Sequence, residues 1–359
     1  MKNEVWVLGA SGRTARLIAR RLHGSGVPLV LVGRDRGRLA AVAAELGGAP
    51  RLLVGSLASN LVRLAEDPPG VVVSTVGPFT RTGVDVARAC PPGTHYVDIS
   101  NELAAFEQIL ALDRQAAAGR QVFVTGAGFG VLATESVLLR LCAGQPRPAR
   151  VRVDALAAIA LEDGVVGSAL AATIVEVVSA GGREVQRGRR VRARSGEHPV
   201  RLTTPDGDVL STRSGASGDL ISAWRASDAD AVVAASTAAP SNRLVRSLLP
   251  AVSAVFGLPR VGGLATSVIA RIPLRAQPMA RPSSWGHARV EWADGTAREG
   301  WLRVGDGTEF TAAVTAEVTS RLLRGEGRPG AHTPGALFGP ELAEAVGGQF
   351  FMDHPTEAR

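Results

Sequence analysis

The stretch Val5-Trp-Val-Leu-Gly-Ala-Ser-Gly-Arg-Thr-Ala15 constrains the fold more than any other part of the chain. Val5 to Leu8 form an unbroken apolar run, as a strand buried on both faces requires. Gly9, Gly12 and Ala15 follow in G-x-x-G-x-x-A spacing, and Arg13 to Leu22 then places apolar residues at helical intervals. The physics asks for small residues at these three points. The first glycine lets the chain turn sharply out of the strand, and the second lets the backbone approach a pyrophosphate. The alanine lets the new helix pack on the sheet. First-turn N–H groups and the positive end of the helix dipole then face the phosphates. The plain alternative is a structural strand-turn-helix. An apolar strand before the motif and a helix opening after it favour a dinucleotide, with Gly9, Ala10, Ser11, Gly12, Arg13 and Thr14 as the expected contacts.

The same rhythm continues. Pro28 to Val32 is a second apolar strand, ending Gly33-Arg34-Asp35. Enzymes that select NAD carry a carboxylate at this strand end for the ribose 2′-hydroxyl. Gly33 leaves none there, and the Arg34 guanidinium matches a 2′-phosphate through a charge-assisted bond. NADPH is therefore the expected cofactor, against the simpler reading of Arg34 as a solvated side chain. Asp35 is expected to cap a helix running through Leu39 to Leu46, or to turn inward onto a ribose hydroxyl. Arg51 to Val54, Val71 to Thr75, His95 to Ile99 and Val122 to Thr125 read as further strands. Helices over Leu57 to Ala65, Thr82 to Ala89 and Leu103 to Ala118 separate them. Strands alternating with helices predict an α/β, Rossmann-like, doubly wound parallel sheet. The loop Thr75-Val-Gly-Pro-Phe79 and the polar cluster Asp98-Ile-Ser-Asn-Glu102 follow carboxyl ends of strands, where ligands of open α/β sheets bind.

The pattern changes after the loop Gly126-Ala-Gly-Phe-Gly130. Val151 to Ile159 reads as the first strand of another sheet, and Ser168 to Ala180 as a helix followed by two glycines. Short strands are expected around Pro205-Asp-Gly-Asp208 and a helix over Ser241 to Phe256. A hairpin is expected around Ala293-Asp-Gly-Thr296, with a helix over Thr308 to Leu323. This predicts a second, α+β domain on a mainly antiparallel sheet. The expected division is 1–130 as the dinucleotide-binding domain, rejoined by 329–359, with 131–328 as the substrate and dimerisation domain.

Composition narrows the function. A chain of 359 residues with 45% hydrophobic and 20% charged residues is long enough for two globular cores. It contains no apolar run long enough for a membrane span and no signal-peptide pattern, so a cytoplasmic protein is expected. The net charge of +7 points toward nucleic acid, but Lys2 is the only lysine and arginines are scattered among Ala, Gly and Val. That is the imprint of a GC-rich genome, as in an actinobacterium, and no nucleic-acid partner is expected. The densest cluster, Arg183 to Arg194, fits the wet face of a strand or a contact with an acidic carrier protein. Cys90 and Cys142 lack a C-x-x-C or His neighbour, so neither a disulfide nor a metal site is expected. Tyr96 is the only tyrosine, which excludes a Tyr-x-x-x-Lys centre, and the lone lysine argues against Schiff-base chemistry. His95, His287 and His332 suit structural imidazoles.

Gly9-Ala-Ser-Gly12, Gly33-Arg34, Ser74-Thr-Val-Gly-Pro-Phe79, His95-Tyr-Val-Asp-Ile-Ser100 with Glu102, and Gly128-Phe129 together resemble the saccharopine dehydrogenase-like NADP-binding reductases, including the trans-acting enoyl reductases. The resemblance implies that Gly77, Pro78 and Phe79 lie beside the nicotinamide ribose, with Thr75 and Val76 leading into them. A homodimer is expected, acting on a small-molecule substrate that is free or held by a carrier protein. The chain departs from the pattern at Gly130, Val131 and Ala133, where many relatives have a polar Asp-Ser pair followed by Pro. A polar substrate contact is expected to be missing there. Hydride chemistry also needs a proton, and Tyr96, Asp98 and Glu102 are the expected catalytic residues, the two carboxylates near the rim of the sheet. The expected activity is NADPH-dependent reduction of a conjugated C=C or C=N bond in a medium-sized apolar substrate of specialised metabolism. Saccharopine-type imine chemistry and a non-catalytic NADPH-binding regulator remain as alternatives.

Overall fold

A computed structural model describes residues 3–237, 259–352 and 356–357. The helix expected over 241–256 lies outside the described residues. The chain divides into two compact units, one of residues 1–100, 104–129 and 308–338, the other of 101–103, 130–307 and 339–359.

The first unit is built on seven parallel strands. In chain order these are β1 (Val5–Leu8), β2 (Leu29–Gly33), β3 (Arg51–Val54), β4 (Val71–Ser74), β5 (His95–Asp98), β6 (Val122–Val124) and, much later, β17 (Gly330–His332). They lie in the order β17-β6-β5-β4-β1-β2-β3. The sequence reverses direction about β1, which pairs with β2 on one side and β4 on the other. That reversal is the topological switch point of a doubly wound fold. β1, β4, β5 and β6 are buried along their whole length, as parallel strands covered on both faces must be. Helix α1 (Arg13–Gly24) turns Ala15, Ile18, Ala19 and Leu22 onto the sheet, an i, i+3, i+4, i+7 stripe. α2 (Arg36–Glu45), α3 (Leu57–Glu66) and α4 (Phe79–Ala89) follow their strands as expected. The single helix expected over Leu103 to Ala118 is two, α5 (Leu103–Leu110) and α6 (Asp113–Ala118). Asp113 opens the second, and its carboxylate accepts from the Ala331 N–H at 2.9 Å, tying α6 to β17.

The second unit holds a ten-stranded sheet. Its strands are β7 (Arg150–Leu156), β9 (Gly182–Gln186), β10 (Arg189–Ala193), β11 (Val200–Thr203), β12 (Val209–Ser214), β13 (Ala231–Ser236), β15 (Ser284–Glu291), β16 (Thr296–Val304), β18 (Gln349–Met352) and β19 (Thr356–Glu357). The main path runs β10-β9-β13-β7-β15-β16-β18. Among the described residues of this sheet, only β13 and β7 pair in parallel. β8 (Gly164–Val165) and β14 (Pro273–Leu274) form a separate ribbon. Helix α7 (Phe129–Cys142) approaches the large sheet closely through glycines. A Cβ on Gly286 would lie 2.6 Å from the Ala133 backbone, and one on Gly300 3.2 Å from Val137. On the strands themselves Leu156, Trp285 and Trp301 form a buried cluster with Leu202, Leu210 and Phe351 against it. Beside it Asp154 accepts from Arg152 and Thr212 and lies 3.0 Å from His287 Nδ1. The same unit holds α8 (Ser168–Ala180) and α9 (Gly218–Ser227), the latter packed on β7 and β13.

The C-terminal segment departs from the expected division. The return to the first unit begins at 308 and ends at 338, because β17 extends the parallel sheet beside β6. Residues 339–359 do not join it, since β18 and β19 pair with β16 in the second unit. The arginine cluster forms the β9–β10 hairpin, with Arg187 and Gly188 at positive φ in its turn. Arg190, Arg192 and Arg194 are exposed on one face of the edge strand, while Val191 and Ala193 on the other are half-buried.

Candidate functional site

The carboxyl ends of β1, β2, β4, β5 and β6 carry the residues singled out in the sequence. Gly9 adopts φ +79°, a conformation that costs a side-chain-bearing residue about 1–2 kcal/mol. A Cβ there would also lie 2.7 Å from Thr75 Oγ1. The N–H groups of Gly9 and Ala10 both donate to the Val32 carbonyl, at 2.9 and 3.2 Å, and Gly12 N–H donates to Gly9 at 2.8 Å. These bonds bend the chain back over the end of β2 and aim it into α1. Gly12 is the N-cap of α1, and no side chain caps that end. The first turn of an α-helix presents N–H groups that the helix itself does not pair, and such an end can hold an anion. Thr75 fastens the turn from the neighbouring strand, its hydroxyl donating to the Leu8 carbonyl at 2.8 Å.

At the end of β2 Gly33 packs against Leu39, where a Cβ would come within 3.2 Å of the leucine Cδ2. Arg34 is exposed. Asp35 Oδ1 accepts from the Arg38 N–H at 3.0 Å and so caps α2. Of its two expected roles, the structure shows the cap.

The loop after β4 leaves Thr75, Val76, Gly77 and Pro78 half-buried, with a cis peptide between the last two. The Thr82 hydroxyl donates to the carbonyls of Val76 and Pro78 and holds the loop onto α4. Phe79 is the first residue of α4 and is only 7% exposed.

The polar cluster after β5 differs from expectation. Asp98 is fully buried rather than at the rim. Its Oδ1 accepts from Ser100 N–H, the Thr125 hydroxyl and Gly126 N–H at 2.9–3.0 Å, and its Oδ2 from the Tyr96 hydroxyl at 2.9 Å. The carboxylate thus clamps the ends of β5 and β6 together, and Tyr96 is spent on it. Burial pushes the Asp98 carboxyl up to about 6 in spite of those four donors, and burial raises Tyr96 as well. Glu102 belongs to the second unit and is also buried, not at a rim, with its Oε1 accepting from Thr173 of α8 at 2.7 Å. The three histidines are bonded within the fold. His95 Nδ1 accepts from Val122 N–H, His287 meets Asp154, and His332 Nε2 lies 3.1 Å from the Arg328 carbonyl.

Sequence reasoning missed the groups that fix the Gly126–Phe129 loop. Thr311 accepts from Phe129 N–H at 3.0 Å, and Thr315 donates to the Ala127 carbonyl at 2.7 Å. Both stand on the helix Gly307–Leu323, more than 180 residues along the chain. The departure at Gly130 was expected to remove a polar contact. The structure places Asp219 and Asn101 there instead: a Cβ on Gly130 would lie 3.0 Å from Asp219 Oδ1 and 3.2 Å from Asn101 Nδ2.

No protein-family model matches the chain. The fold is that of saccharopine dehydrogenase: the apo L-Glu-forming enzyme of Saccharomyces cerevisiae superposes with a TM-score of 0.61 and 12% identity, covering 98% of this chain and all of that one. In sequence the chain is similar to a trans-acting enoyl reductase of Mycobacterium leprae, 31% identical over 134 residues, which is 35% of this chain and 32% of that protein. The trans-acting enoyl reductase of Mycobacterium tuberculosis is 33% identical over 107 residues, 28% of this chain and 26% of its own length. The chain therefore matches about a third or less of these relatives' length. Among the described residues no helix is long and apolar enough to cross a membrane.

Proposed function

We propose that this protein is an NADPH-dependent oxidoreductase that reduces a conjugated C=C bond in a mainly apolar acyl substrate. The observation that carries the reading is the turn from β1 into α1. It leaves an uncapped helix end beside two positions, Gly9 and Gly12, where a Cβ would meet Thr75 Oγ1 or the Gly9 carbonyl. This cradle fits a pyrophosphate. Gly9 to Thr14 would hold it, the exposed Arg34 would take the 2′-phosphate, and Thr75 to Phe79 would flank the nicotinamide ribose. The cofactor supplies the hydride, and the protein's part is to orient the substrate, exclude water and polarise the bond that is reduced. The likeness to enoyl reductases named as trans-acting supports a conjugated acyl substrate carried by a second protein. The arginine-rich β9–β10 hairpin adds an exposed surface of the sign that an acidic carrier would meet.

The test is oxidation of NADPH, followed by its absorbance, with crotonyl-pantetheine as the enoyl thioester. Turnover that needs the thioester is the expected result. Oxidation with an amino acid and an oxo acid in its place would mean imine chemistry, and tight NADPH binding without turnover of either would mean a regulator.

A further inference from the structure

The β9–β10 hairpin ends the large sheet, and among the described residues β10 pairs only with β9. One face of it is a row of guanidiniums. Arg192 lies directly opposite Arg183 across the two strands, with Arg190 two residues before it and Arg194 two after, just past the strand end. Arg187 and Arg189 add their charges at the turn. Arg187, Arg189, Arg190, Arg192 and Arg194 are exposed, and half-buried Arg183 donates through Nη1 to the Gly182 carbonyl at 2.8 Å. Elsewhere in the fold arginines meet carboxylates, Arg51 with Glu4 and Asp67, and Arg321 with Glu317. Arg187, Arg189, Arg192 and Arg194 form no ion pair with any described residue. Glu184, the only acidic residue of the hairpin, is 6% exposed on the opposite face and is held by His198 and Gln186.

Like charges directly opposite one another weaken a pair of strands, so the fold gains nothing from this arrangement. Charge on an edge strand does block pairing with a stray sheet. That purpose needs neither a single sign nor two guanidiniums face to face. Anions laid on the surface would complete it. Nucleic acid offers anions too, but the hairpin has no aromatic side chain on which a base could stack. Its spacing also suits carboxylates. Residues two apart on a strand stand about 6.8 Å from one another, at about 3.4 Å each. Acidic residues one turn apart on a helix recur at about 5.4 Å, and the long arginine side chains cover the difference.

We propose that the arginine face of the β9–β10 hairpin, centred on Arg192 and Arg194, docks an acidic helix of the protein that carries the acyl substrate. The assignment rests on the reductase reading, and the likeness to reductases named as trans-acting supports a substrate brought by a second protein. The hairpin steers and holds that protein and takes no part in the chemistry. It therefore matters for a carrier-bound acyl group and not for the same group on free pantetheine.

The experiment compares crotonyl groups on an acidic acyl carrier protein and on pantetheine, with NADPH, in wild type, Arg192→Glu and Arg192→Glu/Arg194→Glu. Wild type is expected to show the lower KM for the carrier-bound form, rising with added salt. The double variant should raise that KM at least about tenfold and keep kcat/KM for crotonyl-pantetheine within about twofold. Arg192→Glu sets opposite charges across the strands, so its thermal midpoint should hold or rise while its carrier KM rises. Three results would overturn the proposal: a wild-type KM no lower for the carrier form, a wild-type carrier KM in the double variant, or a lowered midpoint in Arg192→Glu. Binding of duplex DNA that the double variant loses, with carrier use intact, would make the hairpin a nucleic-acid surface instead. If wild type oxidises no NADPH with either substrate, the reductase reading fails on its own. Calorimetric titration with the crotonylated carrier protein then decides the surface. Binding by wild type and not by the double variant upholds it, and equal binding or none removes it.

Discussion

Asp98 shows what a single side chain does for this fold. Four donors from three places in the chain meet on one carboxylate, so removing it strands all four. Asp98→Ala is expected to cost at least about 3 kcal/mol, since each buried unsatisfied group costs about 1–3 kcal/mol. Asp98→Asn is a milder change, because its oxygen can keep the bonds from Ser100, Thr125 and Gly126 while its amide donates to the Tyr96 hydroxyl. Wild type and Asp98→Asn also separate by pH. The folded-state carboxyl titrates at about 6, above an unfolded value of about 3.9. The protonated form is thus favoured by folding, and its contribution is complete below about pH 4 and lost as pH rises through about 6. Wild type should lose on the order of 3 kcal/mol between those limits from this group, and Asp98→Asn should not. Urea unfolding at pH 4.5 and 7 measures the difference, and parallel slopes for the two proteins would contradict this account. The depth of Asp98 was not legible in the sequence. Alternation along a strand tells which face a residue takes, but the donors that bury this one come from Thr125 and Gly126, 27 and 28 residues on. Asp219 was equally hidden, because its partner Asn101 is 118 residues away.

Elements were far more legible. β1, β2 and β4 are short apolar runs with Gly or Pro at one end or both, and burial on both faces writes itself into local composition. The Asp-Gly turn between β15 and β16 and the helix Gly307–Leu323 were visible for the same reason, since each is specified by neighbours in sequence. β17 was not, because Gly-Ala-His carries no strand signal and owes its conformation to pairing with β6. The turn from β1 into α1 is the element on which the proposed function depends, and its glycine is a sharp probe. Gly9→Ala must place a side chain at φ +79° and within 2.7 Å of Thr75 Oγ1. The expected cost is about 1–2 kcal/mol from the backbone alone, with NADPH binding weakened at least tenfold as the cradle shifts. Thermal unfolding and cofactor titration on the same sample check both. A variant that binds NADPH like wild type would show that the turn is only a connector.

At the scale of the whole molecule, the chain forms two units, one built on the seven-stranded parallel sheet and one on the mixed sheet. Chain order and spatial membership differ at the C-terminus: residues 308–338 complete the first unit, and residues 339–359 belong to the second. The sequence shows that excursion only as a change of rhythm, because the boundaries are set by pairings between distant strands. We propose that the first unit takes NADPH and that Arg34 makes the choice over NADH. A charge-assisted hydrogen bond contributes about 1.5–3 kcal/mol, or roughly tenfold or more in affinity, and salt should weaken it because Arg34 is exposed. The most direct measurement is calorimetric titration of wild type and Arg34→Ala with NADPH and with NADH. Wild type is predicted to bind NADPH at least about tenfold more tightly than NADH, and Arg34→Ala to lose most of that margin through weaker NADPH binding alone. Equal affinity of wild type for the two cofactors would contradict the account.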